Sequence, residues 1–318
     1  MIVQELDELM GIDSLMTYSY NRVWFHKLNA HKVNKVLAFW FGAPKQKGCF
    51  IGGVEDNILK FPYSAPFAMV ETFKECSNKD FEDFAKEVDV YSSTLGMNKV
   101  EIKLPPMFYD EANITKWLGA LLRNGFKIHE LELDYYIIIE DDCSYRNKLH
   151  KNGRKNLNHA LQKNYQLFHC ETELEKEAAY RIIESNRRDK NYYLSMSWEE
   201  VQSTYQNLEH DFFILRLDGE KIASAIVFNV IEDIWQVIYW GNLSGTDNDR
   251  PMNYLAYALQ NYYRNRGIKI LDIGPSMLNG KPNYGLCDFK ESIGCAVSSK
   301  FCLEKHYKLE TCMKGELT

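Results

Sequence analysis

The stretch 267-GIKILDIGPSMLNGKPNYGLCDFKESIGCAVSSKF-301 decides the fold. Ile268, Ile270, Leu271 and Ile273 form an apolar run short enough for a buried strand. Gly274-Pro275 stops it, and Gly280, Pro282 and Asn283 mark a loop. Leu286, Phe289 and Ile293 recur at helical spacing, with Asn283 placed to cap the helix start and Gly294 to end it. Ala296 to Leu303 reads as a further strand. Lys290 follows the core-facing Phe289 and is the first candidate for chemistry. An ammonium there can stabilise a developing oxyanion or protonate a leaving group. The structural alternative is an exposed helix lysine made comfortable by Asp288 and Glu291. Asp272, at the strand end, is either a base or a residue that caps the loop.

Upstream, the pattern predicts helices over 146–163, 173–188 and 198–208. Strands follow over 212–217, 222–230 and 234–241, then a helix over 251–266. Asp218-Gly219 between the first two strands is a hairpin signal, because both residues tolerate positive φ. The first half carries a similar order. Strands are expected over 33–41, 49–54 and 58–61, a helix over 79–96, a strand over 99–104, a helix over 114–122 and a strand over 131–139. Strand, helix, strand, helix, strand is what a mixed α/β layer needs. We place the division at the end of Glu140-Asp141-Asp142, giving domains 1–145 and 146–318.

Bulk properties bound the rest. The 318 residues, 45% hydrophobic and 26% charged, suit a globular chain with material for two cores. The net charge of -6 disfavours wholesale nucleic-acid binding but leaves room for a local basic patch. The eight cysteines include no Cys-x-x-Cys pair and no histidine cluster stands at metal spacing, so neither a zinc site nor a disulfide framework is expected. The start, MIVQELDELM, lacks the basic and apolar regions of a signal peptide, and no apolar run approaches a membrane span. A cytoplasmic protein is the expectation.

One local charge pattern stands out. In 145-YRNKLHKNGRKNLNHALQK-163, Tyr145, Leu149, Gly153, Leu157, Ala160 and Leu161 form an apolar stripe. Arg146, Lys148, Lys151, Arg154, Lys155 and Lys163 cover the remainder. Such a face is either simply solvated or meets an anionic partner, a phosphate-bearing substrate or a tRNA acceptor end.

The run Asp272-Ile273-Gly274, then Asn283, Gly285-Leu286, Phe289-Lys290 and Gly294, resembles the C-terminal signature of FemAB-like acyltransferases. These belong to the GNAT (Gcn5-related N-acetyltransferase) superfamily. The resemblance implies an α/β fold of two tandem GNAT-like domains, each a mixed, mostly antiparallel sheet flanked by helices. It implies acyl transfer to an amine without a metal. It puts Lys290 where GNAT enzymes carry the tyrosine that protonates the leaving thiolate.

In GNAT enzymes the turn corresponding to 241–252 holds the pyrophosphate of acetyl-CoA, so Arg250, Met252 and Asn253 are the cofactor-binding candidates. Here Asp247 and Asp249 would repel phosphate, which leaves Arg250 and a bare helix start. Arg154, Lys155, Arg187 and Tyr284 are the substrate-binding candidates. Arg187 lies in a loop that shapes the acceptor site in the family, and its planar fork suits carboxylates and phosphates. Three readings stay open. The first is an N-acyltransferase using acyl-CoA on an anionic small-molecule or cell-envelope precursor. The second is an aminoacyl-tRNA-dependent transferase of FemAB type, with tRNA as partner. The third is a non-catalytic binding module on a degenerate GNAT scaffold. Oligomeric state is not readable from the residues.

Overall fold

A computed structural model of the chain describes residues 1–9, 12–42, 44–278 and 280–307. They pack as two compact units. The first runs from Met1 to Leu131 and resumes at Lys300; the second is Glu132–Ser299. The expected division at 145/146 is therefore corrected. Strand pairing, not the acidic turn, sets the boundary.

In the first unit Lys35–Phe41, Gly48–Glu55 and Ile58–Phe61 form an antiparallel meander, with Ile2–Glu5 added outside the first strand. The helix Asn78–Thr94 follows, opened by a capping box between Ser77 and Asp80. The strand Lys99–Lys103 then runs parallel to Ile58–Phe61. After the helix Glu111–Arg123, the chain supplies no further strand of its own to that edge. Lys99–Lys103 pairs instead with residues 302–306, the end of the strand Ala296–His306.

The second unit repeats the order. His210–Leu217, Glu220–Ile231 and Ile234–Asn242 form an antiparallel meander, with Tyr165–His169 outside it. The expected hairpin is there: Asp218 and Gly219 both have positive φ, 49° and 91°. The helix Pro251–Asn265 follows, then the strand Ile270–Pro275 parallel to Ile234–Asn242. The far edge of Ile270–Pro275 pairs antiparallel with residues 134–138, the end of the strand Lys127–Ile138. Each unit thus takes its last strand from the other half of the sequence, which no local pattern signals.

Two outer strands, Ile2–Glu5 and Tyr165–His169, were not anticipated, and the single expected basic helix is two. Asp142–Lys148 ends at Leu149, whose ψ of 131° is extended, and Lys151–Ala160 begins after His150. The expected stripe is nonetheless buried at Tyr145, Leu149, Gly153, Leu157 and Ala160, while Leu161 is exposed. Tyr145, Leu149, Leu157 and Ala160 join Trp235, Leu255, Leu259, Tyr263 and Leu271 in one core. Burying each large apolar side chain there contributes about 1.5–3 kcal/mol. The seven described cysteines are free thiols, and Cys312 lies outside the described residues. No helix among the described residues is long and apolar enough to cross a membrane.

Candidate functional site

The site grows from a defect in the second unit's sheet. The parallel pair is bonded at Ile234/Ile270, Trp235/Leu271 and Gln236/Asp272, and pairing stops there although both strands continue. Each strand carries an irregularity just past that rung. The register against Glu220–Ile231 shifts between Val237 and Tyr239, and the register against residues 134–138 shifts between Asp272 and Gly274. A bulge bends its strand and raises its twist. Two of them, side by side, part the strands.

Gly274 makes the second bulge possible. Its φ of +76° is open to glycine and costly for other residues. The bulge turns the carbonyls of Ile273, Gly274 and Pro275 off the ladder, and Lys290 meets them. Its ammonium donates to all three oxygens, at 3.1, 2.8 and 3.0 Å. The signature helix, Tyr284–Ser292, aims it there, capped by the Asn283 side chain on Leu286 N–H at 3.2 Å. Gly294, with a φ of +86°, ends the helix as expected.

Lys290 is 2% exposed and sits 5.3 Å from the centre of the Tyr135 ring. Burial lowers its pKa to about 8, against the opposing pull of Asp134, Cys295, Asp272 and Cys287. The solvent-facing alternative read from Asp288 and Glu291 is not what the fold does. Asp288 is exposed, and Glu291 instead accepts from Tyr135 Oη at 3.0 Å. All three ammonium protons are engaged with carbonyls, so the lysine holds the bulge.

Asp272 is fully buried. One carboxylate oxygen accepts from Gly274 N–H at 2.7 Å and the other from Gln236 Nε2 at 2.7 Å. It caps the loop, one of the two roles its position suggested. Lys290 and Asp272 are therefore brought together, on the two sides of one backbone turn. Gln236 was missed by sequence reasoning. A lone amide in 234-IWQVIYW-240, an otherwise apolar run, was the signal.

The basic helix lies against the signature helix. A Cβ on Gly153 would stand 1.8 Å from the Ser292 carbonyl oxygen, so only glycine allows this approach. Tyr145 Oη donates to the Ile293 carbonyl at 3.0 Å. The six cations of this region then divide. Arg146 pairs with Asp142, Lys148 with Glu140 and Lys163 with Asp249, at 2.9, 2.7 and 2.9 Å. Lys151, Arg154 and Lys155 have no acidic partner among the described residues. They line, with Asn158, an open groove of about 460 Å³.

Of the remaining candidates, Tyr284 opens the signature helix and the others lie on or beside other helices. Arg187 is half-buried at the end of the helix Glu173–Asp189. That helix docks on the parted strand: Asn186 donates to the Asn242 carbonyl at 2.7 Å, and a Cβ on Gly241 would meet Asn186 at 2.6 Å. The Arg187 guanidinium lies 6.0 Å from the Tyr192 ring, its buried Nε has no hydrogen-bond partner among the described residues, and burial lowers its pKa. Arg250 is exposed in the left-handed region, φ 62°, and the helix after it starts without a side-chain cap. Asn253 N–H is turned to the Arg250 carbonyl at 3.2 Å, and Met252 is half-buried beside it. The acids of the preceding turn are tied down: Asp247 accepts from Asn242 at 2.9 Å and Asp249 pairs with Lys163. Tyr284 is 74% exposed.

Comparison with known proteins follows this geometry. No family model matches the sequence, and no curated protein does. Among solved structures, FemX is similar over 96% of this chain and 98% of its own, with a TM-score of 0.69 and 11% identity. The chain has the fold of FemX. The C-terminal DUF2156 domain of a putative lysylphosphatidylglycerol synthetase from Agrobacterium fabrum shares it over 95% of this chain and 92% of that one, at TM-score 0.62 and 11% identity. L-PGS from Bacillus licheniformis does so over 91% and 92%, at TM-score 0.58 and 10% identity.

Proposed function

We propose that this protein transfers an acyl or aminoacyl group to an amine, and that the group arrives on charged tRNA rather than on CoA. The observation that carries this reading is the division of the basic region. Arg146, Lys148 and Lys163 are matched with acids, whereas Lys151, Arg154 and Lys155 have no acidic partner among the described residues and line one groove. Unmatched clustered cations favour a polyanion, whose binding releases counterions. The fold shared with FemX and with lysylphosphatidylglycerol synthetases is consistent with it.

The turn that would cradle a CoA pyrophosphate offers less. Its acids are retained, and Asn253 N–H is spent on Arg250. Its uncapped helix start, with Arg250, Met252 and Asn253, keeps acyl-CoA as the second reading.

In the reaction the acceptor amine attacks the carbonyl carbon of the donor ester or thioester. The carbonyl electron pair moves to oxygen, then returns as the ribose oxygen or thiolate leaves and takes up the amine's proton. Lys290 acts as a buried positive charge and as the holder of residues 273–275 beneath that oxyanion. Arg187 receives an anionic group of the acceptor, a small-molecule or cell-envelope precursor, and Tyr284 flanks the entrance.

Replacing Lys151, Arg154 and Lys155 together by Ala tests the carrier. Binding of charged tRNA should fall about tenfold or more, with a shallower salt dependence, because about three phosphate contacts are lost. The melting temperature should hardly move, since exposed cations contribute little to stability. Unchanged tRNA binding, or transfer from acyl-CoA but not from charged tRNA, would overturn the tRNA reading. No transfer from either carrier would leave a binding module.

A further inference from the structure

Gln236 is 4% exposed in a strand whose neighbours in the chain, Trp235 and Val237, are core residues. It occupies the last bonded rung of the parallel pair, opposite Asp272. Burying an amide there costs free energy unless its hydrogen bonds are made. Its Nε2 reaches Asp272, whose other oxygen takes Gly274 N–H. The same Gly274 presents its carbonyl to Lys290. The chain Gln236–Asp272–Gly274–Lys290 therefore spans the point where the strands part, from one strand through the bulge to the signature helix.

We propose that Gln236 and Asp272 are positioning residues for the transfer reaction: their side-chain bond ends the parallel ladder and fixes the bulge whose carbonyls Lys290 holds. An apolar residue at 236 would take this donor from the Asp272 oxygen and break the side-chain link between the two strands at the bulge. The proposal rests on the transferase reading for its effect on turnover, but its structural half is independent of it.

The test uses the full chain. Gln236→Leu keeps the volume and the Asp272 charge but removes the donor. Asp272→Asn removes the charge while leaving an oxygen for Gly274. In the wild-type protein the Gly274 amide should exchange slowly with deuterium. In Gln236→Leu it should exchange at least tenfold faster, with Leu271 and Trp235 unchanged. Turnover per folded molecule should fall about tenfold in both variants while KM for the carrier shifts less than threefold, the split expected when placement and not binding is lost. Gln236→Glu, which can share a proton with Asp272 at low pH, should recover turnover towards pH 5 only.

Unchanged Gly274 exchange in Gln236→Leu would overturn the clamp. Faster exchange with unchanged kcat would overturn the positioning role and leave a purely structural one. A wild-type protein that transfers nothing from either carrier would defeat the transferase reading and, with it, the positioning role, while the exchange measurement still decides whether the clamp exists.

Discussion

The two units run through the same elements in the same order and finish differently. In the first, the parallel pair is bonded along the whole of its shorter strand, from Ile58/Lys99 to Phe61/Ile102. The strand then meets Pro62, which has no N–H to extend it. Phe61 stacks on Phe50 at 4.1 Å, and the helix Glu111–Arg123 buries Ile114, Trp117, Ala120 and Leu121. Trp117 in turn stacks on Phe84 at 4.9 Å. In the second unit the pair stops after three rungs, both strands bulge, and the corresponding helix buries a lysine. The first arrangement is closed with aromatic rings. The second is held open by hydrogen bonds between charged or polar groups. A closed ladder pairs its backbone groups within the sheet; in the parted one the carbonyls of residues 273–275 meet Lys290 instead. The difference teaches that duplication of a fold does not duplicate a site.

That contrast can be broken most directly at Lys290. Lys290→Met should lower turnover by about a hundredfold or more, on the scale of losing an oxyanion-stabilising group. It should also cost about 3 kcal/mol of stability, because three carbonyls lose their donor. Kinetics on the folded fraction, beside chemical denaturation, separates the two. An active Lys290→Met enzyme would remove the distinction between the units.

Trp117→Ala in the first unit is the mirror experiment. It should cost about 3–5 kcal/mol by leaving a cavity under Phe84 and Phe50, with turnover of the folded protein unchanged. A turnover loss there would show that the closed unit also takes part.

Gly153→Ala should cost about 1–3 kcal/mol, since the new Cβ must push the basic helix off Ser292. Binding of charged tRNA should weaken alongside, because the groove cations ride on that helix. Denaturation midpoints and a binding titration check both.

The smallest effect concerns pH. The ammonium has three N–H groups for three carbonyls, and the neutral amine has two. Turnover should therefore decline several-fold as pH rises through about 8, the lowered pKa of Lys290. Of the groups facing it, Asp134, Cys295, Asp272 and Cys287 favour its charged form, and the Tyr135 ring lies against it. Stability should move the other way. Its folded pKa lies below the ordinary 10.5, so the unfolded chain binds more protons between about 8 and 10, and this group makes stability rise across that window. A decline in turnover accompanied by falling stability would point to unfolding instead.

Much of the fold was legible in the residues because its signals are local. Alternating and helical periodicities gave most of the strands and helices of both units within a few residues. Asp218-Gly219 made its hairpin, Asn283 its cap and Gly294 its stop, since φ preferences and short side-chain bonds act over a few residues. The cationic character of 146–163 was equally plain.

Other things needed the tertiary structure. Which strand closes each sheet is a pairing between segments far apart in sequence, so the residues at 140–146 could mark a turn but not a boundary. The direction of Lys290 was open between water and core. Burial of an ammonium becomes acceptable only when three carbonyls are turned towards it, and a bulge formed against residues 134–138 turns them. The split among the cations depends on which acids other segments bring close, as Asp249 does for Lys163. The sequence alone determined the elements and the charges they carry. Only long-range packing decided which charges are neutralised, which have no acidic partner among the described residues, and where the parallel ladder ends.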